Sequence, residues 1–196
     1  MVTILASYTL LWSKARCEQV KAQASAGEPL SILFGGPHQS EPGFRKFGVT
    51  AGDFIYPVTV SAGVLYILGR MKVSRLLSID EYIGENAETF AGHKSSFGGG
   101  ATFGNWRIAH PELSYLAPTC TEEAAVGEGT PLGMRVPVPA DILVGLRYRS
   151  QKGERTIKYI VDGFLKSVVS LQGGTYRLSD ASAQKFEELL KQETSD

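Results

Sequence analysis

The chain has 196 residues, 20 basic and 20 acidic side chains and a formal net charge of zero. That length suits one domain able to bury about 70% of its unfolded surface, and a hydrophobic content of 43% argues against disorder. The neutral balance excludes a non-specific duplex binder, whose affinity rests on a strongly basic surface. Two cysteines, Cys17 and Cys120, make neither a disulfide framework nor a zinc set, so both are expected as free thiols in a reducing, cytoplasmic setting. The apolar start, residues 1–12, lacks the basic flank of a signal peptide. No run approaches the roughly 20 apolar residues of a membrane span, and no membrane partner is expected.

In chain order, residues 3–12 (TILASYTLLW) are rich in β-formers and predict a buried strand. Ser13 is placed to cap a short amphipathic helix over 13–26, which Gly27 stops. Residues 30–34 predict a second strand, ended by Gly35-Gly36-Pro37, and 44–47 a single helical turn. Gly52-Asp53 opens the clearest sheet signal. A strand over 53–61 carries Pro57, which suits an edge or a bulge. Ala62-Gly63 makes a tight turn, and the return strand over 64–73 bends at Gly69. Ser78 and Glu81 have capping-box spacing for a short helix over 78–83.

Residues 84–140 show the weakest periodicity. They carry Gly98-Gly99-Gly100 and Pro111, Pro118, Pro131, Pro137 and Pro139, and read as a long irregular excursion. Strands follow over 142–149 and 156–161, joined by Gln151-Lys152-Gly153. Asp162-Gly163 signals a hairpin to a partner strand over 164–171. Ser179 or Asp180 caps a closing helix over 180–192, whose buried stripe is Ala183, Phe186, Leu189 and Leu190. The expected class is α+β, a single domain over 1–196 with a β-rich core in 1–83, the excursion over 84–140, and a hairpin and helix over 141–196 completing it.

Three pieces of the first half resemble the PUA-like superfamily, in particular its ASCH and EVE branches. They are the strand-to-helix start Leu11-Trp12-Ser13-Lys14-Ala15-Arg16, the strand opening Gly52-Asp53-Phe54-Ile55-Tyr56, and Ile67-Leu68-Gly69-Arg70-Met71-Lys72-Val73. Together they span residues 3–83. The resemblance implies a small mixed β-barrel with short helices. It also implies a cleft between the first strand-to-helix turn and the Gly-Asp strand that holds a nucleotide or a small polar ligand. Relatives include modified-base readers as well as hydrolases and ribonucleases.

Each candidate residue has an ordinary reading beside the functional one. A base could stack on Trp12 while Lys14 and Arg16 hold phosphate, or Trp12 is a core residue ahead of two solvated charges. Tyr56 could wall the cleft or donate a proton, or pack as strand tyrosines do. Arg70 follows Gly69, where a ligand can approach, or points outward as a surface charge. His38 could rim the cleft as a base, or lie at the surface. His38, His93 and His110 match no metal spacing, and no metal or cofactor is expected. Phosphate-loop, Rossmann and nucleophile-elbow motifs are all missing from the sequence. Gly98-Gly99-Gly100 with Phe97, Phe103 and Trp106 suits a flexible loop or an aromatic-tipped lid.

Three readings follow. The first is a PUA-like module recognising a nucleotide or modified base in RNA or single-stranded DNA through Trp12, Lys14, Arg16, Tyr56 and Arg70. The second is an ASCH-like hydrolase or ribonuclease in the same cleft, with Lys14, Tyr56 and His38 as the catalytic candidates. The third is a protein-interaction domain that uses residues 84–140 and the C-terminal hairpin and binds no small ligand.

Overall fold

The computed structural model describes residues 5–14, 16–18, 29–37, 42–86, 121–131 and 135–193. Strand β1 (Ser7–Leu11) lies inside a mixed sheet. It runs parallel to β3 (Phe54–Ser61) and antiparallel to β12 (Thr175–Arg177). The order continues through β5 (Met71–Ser78) and β6 (Glu123–Gly129) to β2 (Ile32–Gly35), while β4 (Val64–Ile67) pairs with β3 and with β7 (Val136–Pro137). The class is therefore α+β, dominated by strands. Its helices include α1 (Ile79–Glu85), α2 (Ala140–Gly145) and α3 (Asp180–Glu193), with a further helical start at Lys14 and residues 16–18.

Strands β12 and β2 end the sheet, and no ladder among the described residues joins them. The segment 42–47 lies between these ends. Pro42 bridges to Gly36 beyond β2. On the other side Gly43 O accepts from Thr175 Oγ1 at 3.4 Å, and Phe47 meets Tyr176 edge-on at 5.9 Å. A 3-10 turn, Arg45–Phe47, closes this segment. Its N–H groups at Phe44 and Arg45 donate to Glu123 Oε2 at 2.5 and 3.2 Å.

Side chains alternate across the sheet, as the pleat requires, and two apolar clusters result. Tyr8, Leu10 and Trp12 of β1 and its continuation join Ile55, Leu33, Phe44 and Met71 on one face. Tyr56 and Val58 join Leu65, Ile67, Tyr148 and Phe186 on the other. The break at residues 68–70 explains how one sequence run serves both faces. Leu65 and Ile67 face the second cluster, yet Met71 and Val73, in the same odd phase, face the first. An unbroken strand could not do this, because a one-residue slip exchanges the faces. The bend expected at Gly69 is thus a full interruption between β4 and β5.

Asp53 anchors the start of β3. Its Oδ1 accepts from Ala6 N–H at 2.8 Å, and Oδ2 accepts from the N–H and hydroxyl of Thr50 at 2.8 and 3.0 Å. The capping box at Ser78 and Glu81 forms as its spacing indicates. Ser179 accepts from Ser182 N–H at 3.3 Å and so caps α3, whose buried residues include Phe186, Leu189 and Leu190. Asp162-Gly163 turns a hairpin between β10 (Ile160–Val161) and β11 (Phe164–Leu165).

Several expectations need correction. Pro57 lies on an inner strand. Its carbonyl accepts from Leu68 N–H at 2.9 Å, so its missing donor faces the gap where the partner changes from β5 to β4. The run 84–140 is not wholly irregular, because β6 pairs with both β5 and β2. The sequence EAAVGEG hides that strand because its residues are small, and smallness is what the site demands. A Cβ at Gly127 would lie 2.0 Å from Lys72 O. Residues 142–149 are not one strand. Helix α2 precedes β8 (Arg147–Ser150), with Leu143 N–H donating to Pro139 O at 2.8 Å. Proline at the helix start and Asp141 in its first turn were the available signals. The strand expected over 156–161 is also replaced: β8 pairs with β9 (Gly153–Thr156), Ile160–Val161 is a separate strand, and the partner strand over 164–171 is only Phe164–Leu165. No helix among the described residues is long and apolar enough to cross a membrane.

Candidate functional site

The end of β1 becomes a helix through one residue. Ser13 Oγ accepts from Arg16 N–H at 3.2 Å, Ser13 O accepts from Cys17 N–H at 3.1 Å, and Lys14 and residues 16–18 are helical. Two bonds tie the preceding Trp12 to β3: its N–H donates to Val58 O at 2.7 Å, and its O accepts from Thr59 Oγ1 at 3.1 Å. The strand-to-helix turn and the far end of β3 are therefore held side by side.

A cavity of about 460 Å³ opens at this junction. Leu11, Trp12, Ser13 and Lys14 line one side, Thr59 and Val60 another, and Val168, Leu171 and Gln172 the third. Its size falls within the range of small-ligand pockets. Trp12 is 5% exposed, and its buried Nε1 has no hydrogen-bond partner among the described residues. Arg16 is 3% exposed, with its guanidinium 4.1 Å from the indole centroid. That contact is a cation–π stack, so Arg16 buttresses Trp12 and covers part of the indole. Lys14 points into solvent at 87% side-chain exposure, with Glu18 3.6 Å away.

Tyr56 and Arg70 stand elsewhere. Tyr56 faces the second apolar cluster, across β3 from Trp12, and is fully buried with Phe186 edge-on at 5.5 Å. Its hydroxyl donates to Glu187 of α3, and Arg70 donates to the other oxygen of the same carboxylate. Arg70 also lies 5.2 Å over the Phe54 ring. Burial, then the hydrogen bond to Glu187, pushes the Tyr56 hydroxyl far above its usual value of 10.0. Burial works to raise the Glu187 carboxyl, but bonds from Arg70 and Tyr56 outweigh it and hold the carboxyl below 4.5. The geometry of these three side chains is that of a closed polar clamp fastening α3 to the sheet.

The sequence candidates thus divide into Trp12, Lys14 and Arg16 at the cavity and Tyr56 and Arg70 in the clamp. His38 lies outside the described residues, as do His93, His110, Cys120, Gly98-Gly99-Gly100, Phe97, Phe103 and Trp106, and residues 19–26 of the expected first helix. Cys17 is a free thiol. Among the described residues no three His, Cys, Asp or Glu side chains group as metal ligands.

Sequence reasoning missed the third wall, residues 168–174. Its signal was Gln172-Gly173-Gly174 after an apolar run, a turn signature inside what read as a strand. Gly174 is required by close packing, since a Cβ there would lie 2.6 Å from Tyr176 Cε1 and 2.8 Å from Phe47 Cε1. No protein-family model, curated protein or solved structure matches the chain.

Proposed function

We propose that the chain is a PUA-like binding module in the cytoplasm, its curled sheet serving as a small barrel whose cavity at Trp12 recognises a nucleotide or modified base in single-stranded RNA or DNA. One observation carries the reading: the cavity lies between the Leu11–Lys14 turn and the Thr59–Val60 end of β3, the two walls that the resemblance implies for a ligand cleft. Its chemistry fits as well. A mainly apolar lining suits the flat face of a base. A chain of zero net charge suits one nucleotide held in a pocket better than duplex binding.

The hydrolase reading is less supported, because it drew its acid from Tyr56. That hydroxyl is engaged by Glu187 and lies away from the cavity. The interaction reading draws on the C-terminal hairpin. Tyr159, Val161 and Phe164 of the β10–β11 hairpin are 55%, 48% and 45% exposed, an apolar surface of the kind that marks partner contacts.

The test is fluorescence anisotropy with short labelled single strands of RNA and DNA at two salt concentrations. Binding that weakens with salt and is lost in the Lys14→Glu/Lys46→Glu double variant supports the nucleotide reading. No binding at either salt by the folded protein sinks it and moves the weight to the exposed hairpin.

A further inference from the structure

A second cavity of about 500 Å³ adjoins the Trp12 cavity, and the two share Pro42, Gln172 and Gly173. Their walls differ in kind. The first is walled mainly by Leu11, Trp12, Val60, Val168 and Leu171. The second is walled by Gly36, Pro37, Lys46, Phe47 and Tyr176. Each holds one lysine, and among the described residues no Asp or Glu lines either. That is uneven for a chain with 20 acidic side chains. The neighbouring cation, Arg45, is turned away, donating to Leu76 O at 2.6 Å and lying 3.7 Å from Glu123. Lys46 makes no ion pair among the described residues and stays exposed.

Gln172 stands where the cavities meet. Its carbonyl accepts from Tyr176 Oη at 2.6 Å, which fixes the backbone, while its side-chain amide has no partner among the described residues. A carboxamide offers a donor and an acceptor together and can pair with a base edge. Beside it, a Cβ at Gly173 would meet nothing within 4 Å, so the shared wall presents open backbone.

We propose that the two cavities form one bipartite site for a nucleotide together with its phosphate. The base enters the Trp12 cavity, the phosphate sits beside Lys46, and Gln172 at the junction reads the base. This rests on the nucleotide reading and narrows it: the ligand class is a phosphate-bearing unit of a single strand, and a neutral nucleoside fills only half the site. Much of the second wall comes from residues 169–176, outside the stretch that carries the family resemblance.

The experiment scans a short single-stranded oligonucleotide in which each phosphate linkage in turn is replaced by a neutral methylphosphonate. Binding is measured on the full chain, wild type and Lys46→Gln, with thermal melts confirming that the variant folds. The expected result is one linkage whose neutralisation weakens wild-type binding about tenfold, as a charge-assisted contact should, and weakens Lys46→Gln by less than about twofold. Gln172→Ala is expected to narrow the preference among the four bases next to that linkage while leaving the linkage effect in place. Equal loss in wild type and Lys46→Gln, or no sensitive linkage, overturns the bipartite site while the nucleotide reading stands. Failure of every unmodified strand to bind overturns both.

Discussion

The Tyr56 clamp and the Trp12 groove are built from the same residue types, an aromatic ring beside basic side chains, yet they have opposite characters. In the clamp every polar group is engaged: Tyr56 and Arg70 share the Glu187 carboxylate, and Phe186 packs on the phenol. In the groove the Gln172 amide has no partner among the described residues, Lys46 projects into solvent, and Lys14 projects there beside Glu18. A polar group fully engaged inside the fold contributes to stability and has nothing left to offer a ligand. Groups left open around a cavity contribute little to stability and keep their bonding capacity.

Phe186 gives the largest expected effect. Phe186→Ala removes a fully buried ring and is expected to cost about 4 kcal/mol of unfolding free energy, read by urea denaturation. Glu187→Ala leaves a buried phenol and a half-buried guanidinium without their acceptor, and an expected loss of about 2 kcal/mol follows. Its oligonucleotide affinity should match wild type. Altered affinity with intact stability would mean that the clamp belongs to the binding site after all.

The groove is expected to behave in reverse. Lys14→Glu/Lys46→Glu should weaken single-strand binding by about tenfold or more and reduce its salt dependence. The unfolding free energy should change by less than about 0.5 kcal/mol, since both side chains are exposed surface groups. A large stability loss would show that these lysines are structural.

The smallest effect is in the acid titration of the clamp. The Glu187 carboxyl is held below its ordinary 4.5 in the folded chain. Its contribution is therefore present above that value and is lost as pH falls through the lower folded-state value. Urea midpoints measured downward from neutral pH should fall through this window, and Glu187→Gln should flatten that part of the curve. An unchanged curve in Glu187→Gln would assign the acid loss to other carboxylates.

Local signals carried much of the chain. Ser13, Ser78 and Ser179 cap helices because a serine oxygen satisfies a free N–H wherever the following residues can turn. Asp162-Gly163 turns its hairpin because both residues accept positive φ, at 51° and 77°. The β-forming run over residues 53–61 marks β3 without help from elsewhere. These features depend on interactions a few residues long, so they are legible from local sequence alone.

Tertiary structure decided the rest. Strand β6 is spelled in alanine and glycine because Lys72 O leaves no room at Gly127, a requirement imposed by a strand some fifty residues away in the chain. Tyr56 and Arg70 became a clamp only because Glu187 arrives from α3, more than a hundred residues later. The groove likewise needed residues 168–176 beside Trp12 and the 42–47 turn, brought there by the pairing of β12 with β1. Periodicity and capping report what a segment prefers. Which side chains a partner takes and which stay open is fixed by long-range contacts, and that distinction separates the clamp from the candidate site.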